Sequence, residues 1–199
     1  MALQDKSTKS DYYQALYEVA KAVDSSVSLR QVLERVVESA AKALGAKASM
    51  LRLLDPMHER LESSAAYGLS REYIDKGPVE VAKSGVDARA LAGWPVIVSR
   101  ADTDPGLQYP EEVRREGIAS LLIVPVAVKG TVIGVLRVYA AEPMTFGPKE
   151  VQFVEAIAHL SGIAIENARM YEAVEEQLAG IRRNLIPWAE KFNNPRWRG

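Results

Sequence analysis

Two arginines, Arg52 and Arg137, are the residues of this chain whose type and setting could do chemistry. Each interrupts a run that is otherwise apolar, Ala46 to Leu54 around the first and Thr131 to Tyr139 around the second. A guanidinium held away from bulk water presents a planar fork of N–H donors, which suits a carboxylate or a phosphate. Side chains alternate across a strand, so Arg52 shares a face with Met50 and Leu54, and Arg137 shares one with Ile133, Val135 and Tyr139. A buried charge needs a partner but does not specify it. The alternative is therefore that each arginine pairs with an acid such as Glu62, Glu111 or Glu112, closing a site that holds only water.

Other chemistries find no residues to carry them. The chain has no cysteine, which excludes disulfides, thiolate metal sites, thiol nucleophiles and thioether attachment of a cofactor. His58 falls in a turn and His159 on the last helix, and neither has a second histidine or a cysteine at ligand spacing, so no metal site is expected. A lone helix histidine is far more often a packing or surface residue than an axial haem ligand. Neither a GxGxxG nor a GxxxxGK(S/T) phosphate cradle occurs, and no Ser-His-Asp set can be assembled. The reading is of a protein that is not an enzyme and needs no cofactor. A net charge of −1 gives no bulk electrostatic case for nucleic acid or an acidic membrane. The polar start lacks an apolar signal core, and no stretch approaches the roughly 18 apolar residues that span a bilayer, so the expected location is the cytoplasm.

The elements that must position these residues alternate between helix and strand, giving an α+β class. A first helix capped by Ser10 or Asp11 carries an apolar stripe of Tyr13, Leu16, Tyr17, Ala20 and Val23. Ser28 and Gln31 form a capping-box pattern ahead of a second helix, whose stripe runs from Leu29 to Leu44 and stops at Gly45. Ala46 to Leu54 and Arg60 to Tyr67 read as a hairpin around Asp55-Pro56-Met57-His58. Short helices over 70–76, 85–92 and 109–116 and a short strand at Pro95–Val98 follow, with a loop over 99–108. Leu121 to Val128 and Thr131 to Tyr139, joined at Lys129-Gly130, form a central hairpin whose near-unbroken apolarity argues that both faces are covered. Gly134 leaves its face small enough to receive a helix. Gly147 and Pro148 open the last helix.

The order of these features resembles a GAF domain, a small-ligand sensory module. Gly117 to Ser120 before the strand, Pro125 within it, Gly134-Val135-Leu136 in the return strand, Phe146 in the connection and Ile163 to Ala168 in the final helix carry the resemblance, over about residues 16–171. It implies a central antiparallel sheet of about five or six strands, long terminal helices on one face, and short helices and loops enclosing a pocket on the other. In that arrangement the strands of Arg52 and Arg137 are neighbours. Met50, Arg52, Tyr109, Val113, Leu121, Ile123, Arg137 and Tyr139 then line an amphipathic pocket suited to a small, anionic ligand. The cyclic-nucleotide type of the family carries an Asn-Lys, Phe, Asp-Glu signature. Here Phe146 is present, Glu150 alone stands for the acidic pair and Ala140-Ala141 stand where Asn-Lys belongs. The bilin-attaching and methionine-sulfoxide-reducing types depend on cysteines this chain lacks. The resemblance thus implies a sensory, regulatory role in signal transduction; the alternative is a ligand-free scaffold for dimerisation or partner binding.

Along the last helix, Ile157, Leu160, Ala164, Tyr171, Val174, Leu178, Ile181 and Leu185 recur at spacings of three and four, with Asn167 completing the gap. That is a coiled-coil seam. It predicts a homodimer through Leu160, Ala164, Asn167, Tyr171, Val174, Leu178 and Ile181, and beyond it a signalling partner. The expected organisation is a flexible N-terminus over 1–10, a GAF domain over 11–171, and a helical extension with a basic and aromatic tail over 172–199. In that tail Arg182, Arg183, Trp188, Lys191, Phe192, Arg196, Trp197 and Arg198 are interleaved, Gly180 is a point where the helix could break, and Pro187 and Pro195 are read as keeping the tail from being one continuous amphipathic helix.

Overall fold

The computed structural model describes residues 2–24 and 28–192, with side chains described over 10–24 and 28–181. The chain divides into two compact units, Met1–Ala164 and Ile165–Gly199. In the first, helices α1 (Ala2–Val23) and α2 (Leu29–Ala43) precede strands β1 (Ala48–Leu54) and β2 (Arg60–Tyr67). There follow α3 (Arg71–Asp75), β3 (Val79–Glu80), α4 (Gly85–Leu91), β4 (Val96–Val98), α5 (Pro110–Arg115), β5 (Ser120–Val128) and β6 (Thr131–Ala140). The last helix, α6 (Pro148–Phe192), begins in the first unit and continues into the second.

The strands form one antiparallel six-stranded sheet in the order β3-β2-β1-β6-β5-β4, an α+β architecture. The β5–β6 turn places both Lys129 and Gly130 at positive φ, the two-residue geometry whose twist matches the flanking strands. One face of the sheet is covered by helices. The capping box expected at α2 is formed: the Ser28 side chain accepts from the Gln31 N–H, and the Ser28 N–H donates to Gln31 Oε1 at 3.0 Å. Val32, Leu33, Val36, Val37, Ala40 and Ala41 are buried along α2, and Ser49 on β1 donates to the Val37 carbonyl. At Gly162 of α6 a Cβ would lie 2.1 Å from the Ala127 carbonyl oxygen, so this helix meets β5 backbone to backbone.

Two local expectations are corrected. The first helix starts at Ala2, ahead of the cap expected at Ser10 or Asp11, because Ala2-Leu3-Gln4 are good helix formers and nothing breaks the run. Its inward face is Tyr12, Leu16 and Val19, with Tyr12 stacked on Phe153 of α6 at 4.4 Å, while Tyr13 and Tyr17 are exposed. Tyr12, Leu16, Val19 and Val23 recur at spacings of four, three and four, so periodicity alone cannot choose between the two stripes. At Gly134 a Cβ would lie 2.2 Å from the Arg52 carbonyl oxygen, so the neighbouring strand β1 keeps the position bare.

In the second unit α6 stays helical through Gly180 and Pro187 to Phe192, where a break or interruption was expected. A proline removes one backbone donor and bends its own turn, without requiring the next turns to unwind. Tyr171, Val174, Leu178 and Ile181 are exposed, each by about half or more of its surface. Leu185 and the basic and aromatic side chains from Arg182 to Arg198 lie outside the described residues.

Candidate ligand face and its family

The other face of the sheet carries the candidate site. Ala48 and Met50 of β1, Val135 and Tyr139 of β6, Leu121 and Ile123 of β5 and Val96 and Val98 of β4 form one buried cluster there. Tyr73 of α3, Val86 and Ala90 of α4, Leu107 of the following loop and Val113 of α5 cover it, and Tyr109 packs at its margin. Alternation brings Arg52 and Arg137 to this face, since β1 and β6 pair Met50 with Arg137 and Arg52 with Val135. All eight expected pocket residues are therefore gathered on one side of the sheet. Tyr109 is the most peripheral, donating its hydroxyl to the Pro78 carbonyl at 2.9 Å.

The two arginines are treated differently by their surroundings. Arg137 is bound in a two-pronged ion pair with Asp87 of α4: Nε donates to Oδ1 at 3.0 Å and Nη2 to Oδ2, both groups being buried. Burial alone would lower the Arg137 pKa, but the adjoining Asp87 carboxylate outweighs it and the guanidinium is held charged. Ser84, one turn earlier, donates to the same carboxylate and lies 3.1 Å from the Gly106 carbonyl, tying α4 to the loop. The acid expected for this role was Glu62, Glu111 or Glu112, and that expectation is corrected. Glu62 is exposed on β2, Glu111 pairs with Arg114 and Glu112 with Arg115. Asp87 sits where α4 turns its Val86 and Ala90 onto the sheet, and an acid in the first turn of such a helix also favours the helix N-terminus.

Arg52 has no carboxylate. It is wholly buried, beside an irregularity where the β1–β2 pairing steps from Leu51 opposite Ala65 to Arg52 opposite Ser63. Nη1 donates to the Leu61 carbonyl at 2.9 Å, while Nε and Nη2 have no hydrogen-bonding protein partner. These two atoms lie on one edge of the guanidinium and form the fork that a carboxylate or phosphate takes side-on. Burial is the main influence lowering the Arg52 pKa, and Arg137 adds to it. The hydroxyls of Tyr73 and Tyr139 are likewise buried without a partner, and their rings meet edge to face at 5.9 Å. Burial, reinforced by the Tyr139 phenol, raises the Tyr73 pKa, so its hydroxyl stays protonated and able to donate. Four buried polar positions on three side chains thus lack partners, in a fold where such groups are nearly always satisfied.

Lys76, just beyond α3, adds a third cation that the sequence reading did not single out. Its ammonium donates to the Tyr73 carbonyl at 3.0 Å, lies 3.5 Å from the Tyr73 ring centre and 5.5 Å from that of Tyr109. Burial first, then the charges of Arg52 and Arg137, pull its pKa down to about 7. Where α3 approaches α5 a surface depression of about 40 Å³ is lined by Ser70, Glu72, Tyr73, Glu112, Arg115 and Glu116. Among the described residues no group of three histidines and acids could hold a metal ion. Nor, among them, is any helix long and apolar enough to cross a membrane.

A GAF-domain family profile matches residues 26–166. The chain belongs to the GAF family. It is 28% identical over 163 residues to a methyl sulfide methyltransferase-associated sensor of Methanosarcina acetivorans, covering 79% of this chain and 16% of that protein. It is 29% identical over 201 residues to a Nif-specific regulatory protein of Azospirillum lipoferum, covering 95% of this chain and 31% of that protein. The chain thus spans less than a third of the length of either relative. Among solved structures, the GAF domain of a phosphoenolpyruvate-protein phosphotransferase from Coxiella burnetii superposes with a TM-score of 0.72, at 23% identity, over 82% of this chain and 97% of that one. That likeness shows the fold. GAF domains are sensory and regulatory modules, and the two relatives are a sensor and a regulatory protein.

Proposed function

We propose that this chain is a non-catalytic GAF sensor that binds a small anionic metabolite in the cytoplasm and reports it through a helical homodimer to a signalling partner. The observation that carries the reading is Arg52, a buried guanidinium with an unpartnered Nε/Nη2 edge and no carboxylate beside it. A buried cation in that state is costly, and a bound oxyanion is the simplest group that offsets the cost. Met50, Tyr109, Val113, Leu121, Ile123 and Tyr139 supply the walls around Arg52, and Arg137, held by Asp87, fixes the roof to the sheet. For the output, Tyr171, Val174, Leu178 and Ile181 present an apolar stripe that continues the spacing of Leu160, Ala164 and Asn167. An anion that draws α3 and α4 toward Arg52 would bias the pairing of these helices.

The test is a thermal-shift screen of carboxylate and phosphate metabolites on the wild type and on Arg52→Met, with light scattering of the same samples. The reading expects one class of anion to stabilise the wild-type dimer and to leave the variant unmoved. A wild-type dimer indifferent to every anion would favour a ligand-free scaffold. A monomer at all concentrations would remove the helical output.

A further inference from the structure

The charges on the ligand face do not balance. Arg137 and Asp87 cancel each other, leaving two cations: Arg52, buried with no carboxylate bonded to it, and Lys76, half-buried over the Tyr73 ring at the margin of the cluster. Tyr73 bears on both: its ring lies under the Lys76 ammonium and meets the Tyr139 ring edge-on, its hydroxyl is one of the unpartnered donors, and both phenols act electrostatically on Arg52. We propose that Lys76 is the second cation of this site and that the ligand carries two negative charges, one held on the Nε/Nη2 edge of Arg52 and the other by Lys76. This rests on the reading of the Arg52 face as an anion site. The shared chemistry is a dianion, supplied either by a single doubly charged head such as a phosphate monoester or by two carboxylates on one short chain.

Binding of this kind is linked to protonation. The groups acting on Lys76 are Tyr73 from α3, Tyr109 beside α5, Arg52 and Arg137 from the sheet, and Glu112 and Glu116 from α5 and its end. Glu112 is bonded to Arg115, and Glu116 to Ser70 and Lys47, so both carboxylates are already engaged. An anion on Arg52 cancels the repulsion that disfavours the ammonium, and Lys76 takes up a proton as the ligand arrives. Dianion affinity then falls as the pH rises through the Lys76 range, while a monoanion that reaches only Arg52 relieves the repulsion without contacting the ammonium and falls less.

The experiment is isothermal titration of the whole chain with succinate, monomethyl succinate and methyl phosphate, from about pH 6 to about pH 9. Succinate, or methyl phosphate counted as its dianion because its own second proton leaves near about pH 6, is expected to bind roughly ten- to a hundredfold tighter than monomethyl succinate at the acid end, the value of one charge-assisted contact. Which of the two exceeds it separates the two-headed from the single-headed source. Lys76→Met should bring dianion and monoanion to parity and flatten the pH profile. Lys76→Arg should keep the dianion preference and lose the pH dependence, and Arg52→Met should abolish binding of all three. Equal affinity for succinate, methyl phosphate and the monoester, unchanged in Lys76→Met, overturns the two-charge proposal and leaves the Arg52 site standing. Failure of every probe to bind the wild type overturns both.

Discussion

Exchanging Asp87 for asparagine and, in a separate variant, Arg52 for methionine should move stability in opposite directions, although both residues are buried on the same face. Asp87→Asn strips the charge from the carboxylate that holds Arg137 in two hydrogen bonds, stranding a guanidinium that is only 4% exposed. Breaking one partner of such a pair costs about 3–5 kcal/mol. Arg52→Met removes a buried charge whose desolvation costs several kcal/mol. It gives up one charged hydrogen bond to the Leu61 carbonyl, worth about 1.5–3 kcal/mol. The two effects nearly cancel, so this variant should lie between unchanged and about 2 kcal/mol more stable. Urea unfolding at one fixed protein concentration, after refolding to remove any retained anion, reads both changes, since a bound ligand or partner would add to apparent stability. A loss of 3 kcal/mol or more in Arg52→Met, or an unchanged midpoint in Asp87→Asn, would refute the assignment of Asp87–Arg137 as the structural pair and Arg52 as the ligand group.

Other expectations can be checked alongside. Gly134→Ala sets a Cβ about 2.2 Å from the Arg52 carbonyl, so β1 must shift; a loss of about 1–3 kcal/mol is expected in the same unfolding assay, with weaker anion binding. Val174→Glu with Leu178→Glu places charges on the exposed stripe of the last helix and should give a monomer by light scattering with little change in the unfolding of the sheet domain. Lys76 has its folded pKa lowered toward 7 from the ordinary lysine value of 10.5. Between those values the unfolded chain binds the extra proton, so the Lys76 contribution makes stability rise with pH across that window; urea midpoints of Lys76→Met should lack that rise.

Where the chain uses regular patterns, the sequence was legible. The Ser28–Gln31 capping box, the α2 stripe, the Lys129-Gly130 turn and the two apolar strands around it all follow from local rules, and β1 and β6 fall where the arginines predicted them. Strand alternation sorted the side chains within each strand, Met50 with Arg52 and Arg137 with Tyr139, while bringing these sets to one side with Leu121 and Ile123 took the strand order that the family resemblance implied. What stayed hidden depended on distant pairing. Asp87 lies fifty positions from Arg137, and nothing in the four-residue neighbourhood of Val86 says which cation it meets. Tyr73 and Lys76 belong to a helix of five residues and the turn after it, too short to show a periodicity, so their place in the roof comes from packing alone. The α1 stripe failed for another reason: two tyrosine-containing faces have almost the same spacing, and contact with Phe153 decides between them.

The central claim is that Arg52 holds an anion, and native mass spectrometry of the purified chain, followed by denaturing release, tests it most directly. The account predicts a small acid retained by the wild type and absent from Arg52→Met. A wild-type chain that carries nothing and gains no mass from an anion panel would contradict it.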